Sequence, residues 1–197
     1  MYLAIGIITM GRPKPMLDLA NPSQPHLLDF GGILFDDQGN EIESLSTLVI
    51  PGAGVKLTTG EYRSHGIALA TAARIGMDPA DVFHWFKSTA LRAKRIVGHN
   101  VHLDSQAIKI AGVRATGAVW SPPCELYCVR SRSAAMMGLQ AAPFMAPVDQ
   151  PPQRSPALSE CHGHFFGKRL MWPRSAIFDA RASLRIHQHM EGKPTTA

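Results

Sequence analysis

Apolar and polar positions along the chain follow two periods in turn. Residues 2–9 (YLAIGIIT) form a brief apolar run rich in β-branched side chains, ended by Gly11 and Pro13. That pattern predicts a buried strand. Residues 12–26 are rich in proline and polar residues and predict a loop. Two further runs, 27–36 and 41–50, flank the turn sequence DDQGN and predict a hairpin whose second strand stops at Pro51-Gly52. Residues 59–75 have mixed helical character around an SHGI turn. Asp78 followed by Pro79 marks a helix start, and Val82, Trp85, Phe86 and Leu91 then recur at helical spacing. Residues 95–98 (RIVG) predict a short strand. Residues 101–111 predict an amphipathic helix with Leu103, Ala107, Ile108 and Ala111 inward. From 136 to 157 the chain is rich in Met, Ala, Pro and Gln without a clear period, which reads as a long loop or lid. Helices around 157–166 and 175–190 close the pattern, and 191–197 reads as a flexible tail. Strands and helices in this mixed order predict an α/β sheet with antiparallel and parallel parts, covered by helices.

Composition narrows the picture modestly. With 197 residues, 45% of them hydrophobic, the chain suits one domain with a core, expected over 1–190. The formal net charge of +5 permits attraction to phosphates without establishing it. Three cysteines, an odd and small number, argue against a disulfide framework and fit a cytoplasmic protein. Met1 to Met10 has neither a basic leader nor a cleavage site, so no signal peptide is expected. No run approaches the roughly 18 apolar residues that cross a bilayer, so no membrane partner is expected.

Four short segments carry candidate chemistry: VGHNVHLD at 97–104, SHGI at 64–67, DFGGILFDDQG at 29–39 and SAIFDARAS at 175–183. Their plain readings stand beside the functional ones. Asp104 and Asp179 are solvated helix acids or site acids. His99 and Asn100 are turn residues or substrate contacts, and His65 is a packed loop residue or a contact. Trp85 and Phe86 are core or base-stacking, with core favoured by their neighbour Val82. Arg12 and Lys14 are surface charge or lie at the carboxyl edge of the sheet, where ligands bind. Cys124, Cys128, Cys161, His162 and His164 are buried thiols with nearby histidines rather than a zinc site, since tight ligand pairs are absent. His187 and His189, two apart on a helix, point to different sides.

These segments, in this order, resemble the DEDDh 3′→5′ exonucleases, the class of the proofreading epsilon subunit. The resemblance spans about residues 2–190 and implies an α/β, RNase H-like fold with a five-stranded mixed sheet flanked by helices. VGHNVHLD is similar to the family's V-x-H-N-x-x-F-D and puts Asp104 at a metal-binding place. SAIFDARAS puts Asp179 at the last such place, with Ala176 and Ala180 at small packing positions. By the same resemblance, Thr9, His65, Asn100 and Arg174 are substrate-binding candidates. The family's first motif, D-x-E-T-T-G, corresponds to GIITMG at 6–11, so Gly6 stands for the Asp and Ile8 for the Glu. Arg174 stands for the catalytic His.

The family's reaction is phosphodiester hydrolysis by two divalent ions about 4 Å apart. Four carboxylates balance that charge; Asp104 and Asp179 alone balance half of it. The expectation is one weakly held Mg²⁺ or Mn²⁺ at most. Arg174, cationic at every relevant pH, cannot act as the base, but it could contact phosphate or pair with Asp179. Asp29 and Asp18 are the candidate substitute ligands. The expected function is therefore an impaired exonuclease-like protein that binds DNA or RNA, single-stranded or at a 3′ end, or serves as an interaction subunit for a protein partner. The competing expectation is an active exonuclease using Asp104, Asp179 and a non-standard ligand.

Overall fold

A computed structural model describes residues 1–139, 155–171 and 175–193. Five strands form one sheet: β1 (Tyr2–Thr9), β2 (Leu27–Phe35), β3 (Glu41–Leu48), β4 (Arg95–Gly98) and β5 (Glu125–Cys128). Their spatial order is β3-β2-β1-β4-β5. β1 pairs antiparallel with β2 and parallel with β4, and β4 pairs parallel with β5. The predicted hairpin is present as the antiparallel β2–β3 pair. Every residue of β2 is buried, whereas edge strand β3 exposes Glu41 and its neighbour Ile42. Charge on a sheet edge discourages pairing with another chain.

Seven helices are described: α1 (Thr59–His65), α2 (Leu69–Ile75), α3 (Pro79–Ala90), α4 (Val101–Thr116), α5 (Val129–Met136), α6 (Leu158–Phe166) and α7 (Ala176–Met190). The Asp78 side chain caps α3 by accepting the Ala80 N–H at 2.7 Å, and Pro79 occupies the first turn, as the sequence predicts. Side chains alternate across β1, so its two faces feed two cores. Leu3 and Ile5 join Phe30, Val82, Phe86 and Ile108 on the α3–α4 face. Ala4 joins Phe35, Val97, Leu158 and Ile186 on the α6–α7 face.

Several expectations need correction. Leu91 is not inward; it follows the last turn of α3 and is 66% exposed. α4 runs on to Thr116, where Gly117 takes a left-handed φ of 71° that ends the helix. β5 and α5 had no forecast. At the start of the expected tail, Glu191 meets Arg95 at 3.3 Å, and the Lys193 ammonium donates to the Tyr2 hydroxyl at 3.1 Å. The remainder of the tail, 194–197, and most of the anticipated lid, 140–154, lie outside the described residues.

The cysteines are free, with Cys128 in the core on one sheet face and Cys161 in the core on the other. His187 is fully buried among Tyr2, Phe35 and Tyr127, while His189 is exposed. Burial pushes the His187 imidazole down to about 4, Glu191 opposes that shift, and Arg95, Lys193 and Arg132 add to it. The unfolded chain takes up this proton near 6.5, before the folded chain does. Stability is therefore lost as pH falls from about 6.5 towards 4, by roughly 3 kcal/mol from this group. Urea midpoints compared between wild type and His187→Phe should converge at neutral pH and separate in favour of Phe in acid. Parallel pH curves for the two proteins would contradict this assignment.

Candidate functional site

The sheet brings the candidate residues to the carboxyl ends of β1 and β4, which run parallel. β4 ends at Gly98, and the chain turns through His99 and Asn100 into α4. Asn100 stands at the N-cap, where its carbonyl accepts the Asp104 N–H at 3.1 Å; its side chain makes no capping bond. Asp104 therefore lies in the first turn of α4, above the end of the strand. A Cβ added at Gly98 would come within 3.1 Å of its Oδ2 and 3.4 Å of the Ile5 carbonyl, so the carboxyl sits over the β1–β4 junction. A side chain at residue 98 would press on the carboxyl by a few tenths of an ångström.

Asp179 occupies the first turn of α7, whose N-terminal end lies across β1 and β2. Its backbone N–H donates to the Ser175 carbonyl at 3.1 Å. The two acids sense one another. Burial pushes the Asp104 carboxyl up to about 8, the negative charge of Asp179 adds to the rise, and the Arg130 guanidinium draws it part of the way back. Arg130 was not singled out in the sequence. It lies at the start of α5, and its N–H donates to the His99 carbonyl at 2.9 Å, which ties the β5 end to the β4 turn. The only clue to it is a cation just after a short apolar stretch, YCVR, at what proves to be another parallel strand end.

Gly6 and Ile8 lie on the α7 face of β1, by alternation from Ala4. Gly6 pairs with Gly31 of β2. Together they form a groove without side chains, and the α7 backbone lies in it. A Cβ built on Gly6 would collide with the Ala176 carbonyl oxygen and approach the Ala180 nitrogen to 2.9 Å. One built on Gly31 would collide with the Ile177 backbone. Ala176 and Ala180 are fully buried, as the small packing positions require.

Ile8 stands opposite Asp29 in the β1–β2 register. The Asp29 carboxylate is committed elsewhere: it is buried and accepts the Ala176 N–H at 2.8 Å, holding the start of α7. Burial raises this carboxyl, while hydrogen bonds from the Ala176 and Phe30 backbones lower it. Asp18 is exposed in the loop after β1. Neither joins Asp104 and Asp179 in a metal-holding set, since no group of three or more His, Cys, Asp or Glu among the described residues could hold an ion.

The other candidates separate. Thr9 sits at a register shift beyond Ile8, and its hydroxyl donates to the Gly11 carbonyl at 2.6 Å. His65 ends α1; its Nδ1 accepts the Ile67 N–H at 3.0 Å, and burial holds the ring neutral by lowering its pKa, with Glu61 opposing. Trp85 and Phe86 are core: Phe30 meets both rings edge-on. Arg174 lies outside the described residues.

The donor set does not fit two divalent ions. Two carboxylates sense one another, one of them holding its proton near neutral pH, with the Arg130 guanidinium nearby. Paired hydrated cations need more oxygen and more negative charge than this.

Comparisons with known proteins agree on the architecture. No protein-family model matches the chain, and no curated protein matches it. Solved structures do. E. coli exonuclease I in complex with a 5cy-dT13 oligonucleotide superposes at a TM-score of 0.69 with 18% identity, covering 97% of this chain and 40% of the other. The zinc-bound form of its complex with single-stranded DNA gives the same values. The apo enzyme gives 0.67 with 16% identity, over 98% and 42%. The chain thus spans about two fifths of the length of these solved chains. Its described helices are all too short or too polar to cross a membrane. With a five-stranded mixed sheet between helical layers, this chain has the α/β, RNase H-like fold seen in exonuclease I.

Proposed function

We propose that this chain binds single-stranded nucleic acid, DNA or RNA, at the β1–β4 carboxyl edge and leaves it uncut. The observation that carries the second half is the seating of α7 on Gly6 and Gly31, which fills with backbone the place beside β1 where a first carboxylate would stand. The first half draws on the fold, since the neighbours in that fold include exonuclease I bound to oligonucleotides. It also draws on Arg130 beside a pair of acids that share less than their full charge. Asp104 and Asp179 have room for one Mg²⁺ or Mn²⁺ at most, held weakly. Thr9, the last residue of β1, and Asn100, two residues beyond β4, offer polar groups at the strand ends, and Arg130 supplies charge for a phosphate. Arg174 belongs to the same reading as a phosphate contact in place of a general base.

Fluorescence anisotropy with a labelled single strand tests this. Affinity should fall linearly on a log–log plot against salt, by about 0.7 per phosphate neutralised, with little base preference. A protein with no salt-dependent affinity for any strand would leave the alternative reading, a module that binds a protein partner.

A further inference from the structure

The loop after β1 is built rather than slack. Gln24, buried to 2% exposure, accepts the Lys14 N–H at 2.9 Å through its Oε1. Its Nε2 donates to the carbonyls of Lys14, Leu17 and Asp18 at 2.9, 3.1 and 3.3 Å. From the far side the Arg114 guanidinium, on α4, donates to the carbonyls of Pro25 at 2.8 Å and Gln24 at 2.6 Å. Two side chains thus brace a segment that holds no regular secondary structure. A braced loop of this kind positions whatever it carries.

It carries two of the three exposed cations that line a cleft, Arg12 and Lys14; the third, Lys56, comes from the segment before α1. The cleft has a volume of about 680 Å³ and opens at Met10, two residues beyond Ile8. Arg12, Lys14 and Lys56 line it, all three exposed, and none forms an ion pair among the described residues. The one carboxylate in its wall, Glu61, accepts the Thr58 N–H at 2.8 Å and the Thr58 hydroxyl at 2.6 Å in a helix cap. Arg114, also in the wall, is occupied by the loop carbonyls. Elsewhere some exposed cations pair with acids, Arg92 with Glu43, Lys94 with Asp37 and Arg181 with Glu41, while others, such as Arg74 and Lys87, stand singly on the surface among the described residues. What sets Arg12, Lys14 and Lys56 apart is that all three line one concave surface.

We propose that this cleft is a phosphate-binding site that holds the backbone of a nucleic-acid strand as it leaves the β1–β4 edge. Three unpaired cations on an ordered wall suit successive phosphates of a flexible strand, which supplies charge at regular intervals and needs no base recognition. The proposal rests on the nucleic-acid reading above.

The experiment compares wild type, the triple variant Arg12→Gln/Lys14→Gln/Lys56→Gln, and a control, Arg74→Gln/Lys87→Gln/Lys168→Gln. The control removes three exposed cations that line no part of the cleft. Single-strand binding is read by anisotropy across a salt series, and folding is checked by urea midpoint. The cleft variant should bind about tenfold or more weakly, with the salt slope reduced by about 2, while the control stays near wild type. Wild-type affinity and slope in the cleft variant, with the strand still bound, would overturn the cleft and leave the functional reading standing. If wild type binds no strand, the functional reading fails, and inorganic tripolyphosphate decides the cleft separately. Thermal protection that vanishes only in the cleft variant keeps a phosphate site there, and its absence removes the site.

Discussion

Gly6→Asp, the substitution that puts a carboxylate on the first strand, should destabilise the protein by about 3 kcal/mol or more and should not produce strand cleavage. The reason is steric before it is chemical. Any Cβ at residue 6 meets the Ala176 carbonyl oxygen and stands 2.9 Å from the Ala180 nitrogen. Those are backbone atoms of a helix fixed at its start by the Asp29 bond and along its length by the β1–β2 groove. A flexible side chain could swing away, but a helix backbone moves only as a body. Gly6→Ala separates bulk from charge and should give most of the same loss in urea midpoint. A Gly6→Ala protein with an unchanged midpoint would show that α7 is free to lift, and with it that the site has room for a carboxylate.

Asp104→Asn should act in the opposite direction on stability, most strongly in alkali. The folded protein holds the Asp104 proton to about pH 8, chiefly because of burial and next because of Asp179. The unfolded chain releases it near the ordinary 3.8. Between those values the folded state binds more protons, so its stability is greatest below about 3.8 and is lost as pH rises through 8. Asparagine keeps the neutral shape and cannot ionise. The variant should therefore match wild type below about pH 4, gain on it steadily as pH rises from there to about 8, and exceed it by several kcal/mol at about pH 9. Thermal midpoints across the range check this. A wild-type midpoint that does not fall between neutral and alkaline pH relative to the variant would mean that the Asp104 carboxyl is solvated and ionised in the native protein.

The parts of the fold that were legible in sequence were those with local signals. The apolar run at 2–9, the DDQGN turn, and the Asp78–Pro79 start each specify their element from within. β5 has no such signal. It is four residues long with only its last two buried, and it exists through parallel pairing with β4, a partner 30 residues away. The α4 end was missed because its stop is Gly117, beyond the last apolar residue counted. The loop at 12–26 looked shapeless because its order comes from Gln24 and Arg114, polar side chains that pattern reasoning assigns to solvent. Within the site, the sequence has glycine at residue 6, where the family resemblance would put an acid, and nothing in it tells what that glycine does. The fold shows that glycine serving, with Gly31, as the seat of a helix. Asp29 was foreseen as a spare ligand and turns out to anchor that helix.

On the proposed reading, the site meets a strand without breaking it. An end-labelled single strand incubated with the protein and Mn²⁺, then resolved on a denaturing gel, tests it most directly. The account predicts a strand of unchanged length at protein concentrations that retard it fully on a native gel. Stepwise shortening that disappears in both Asp104→Ala and Asp179→Ala would contradict it.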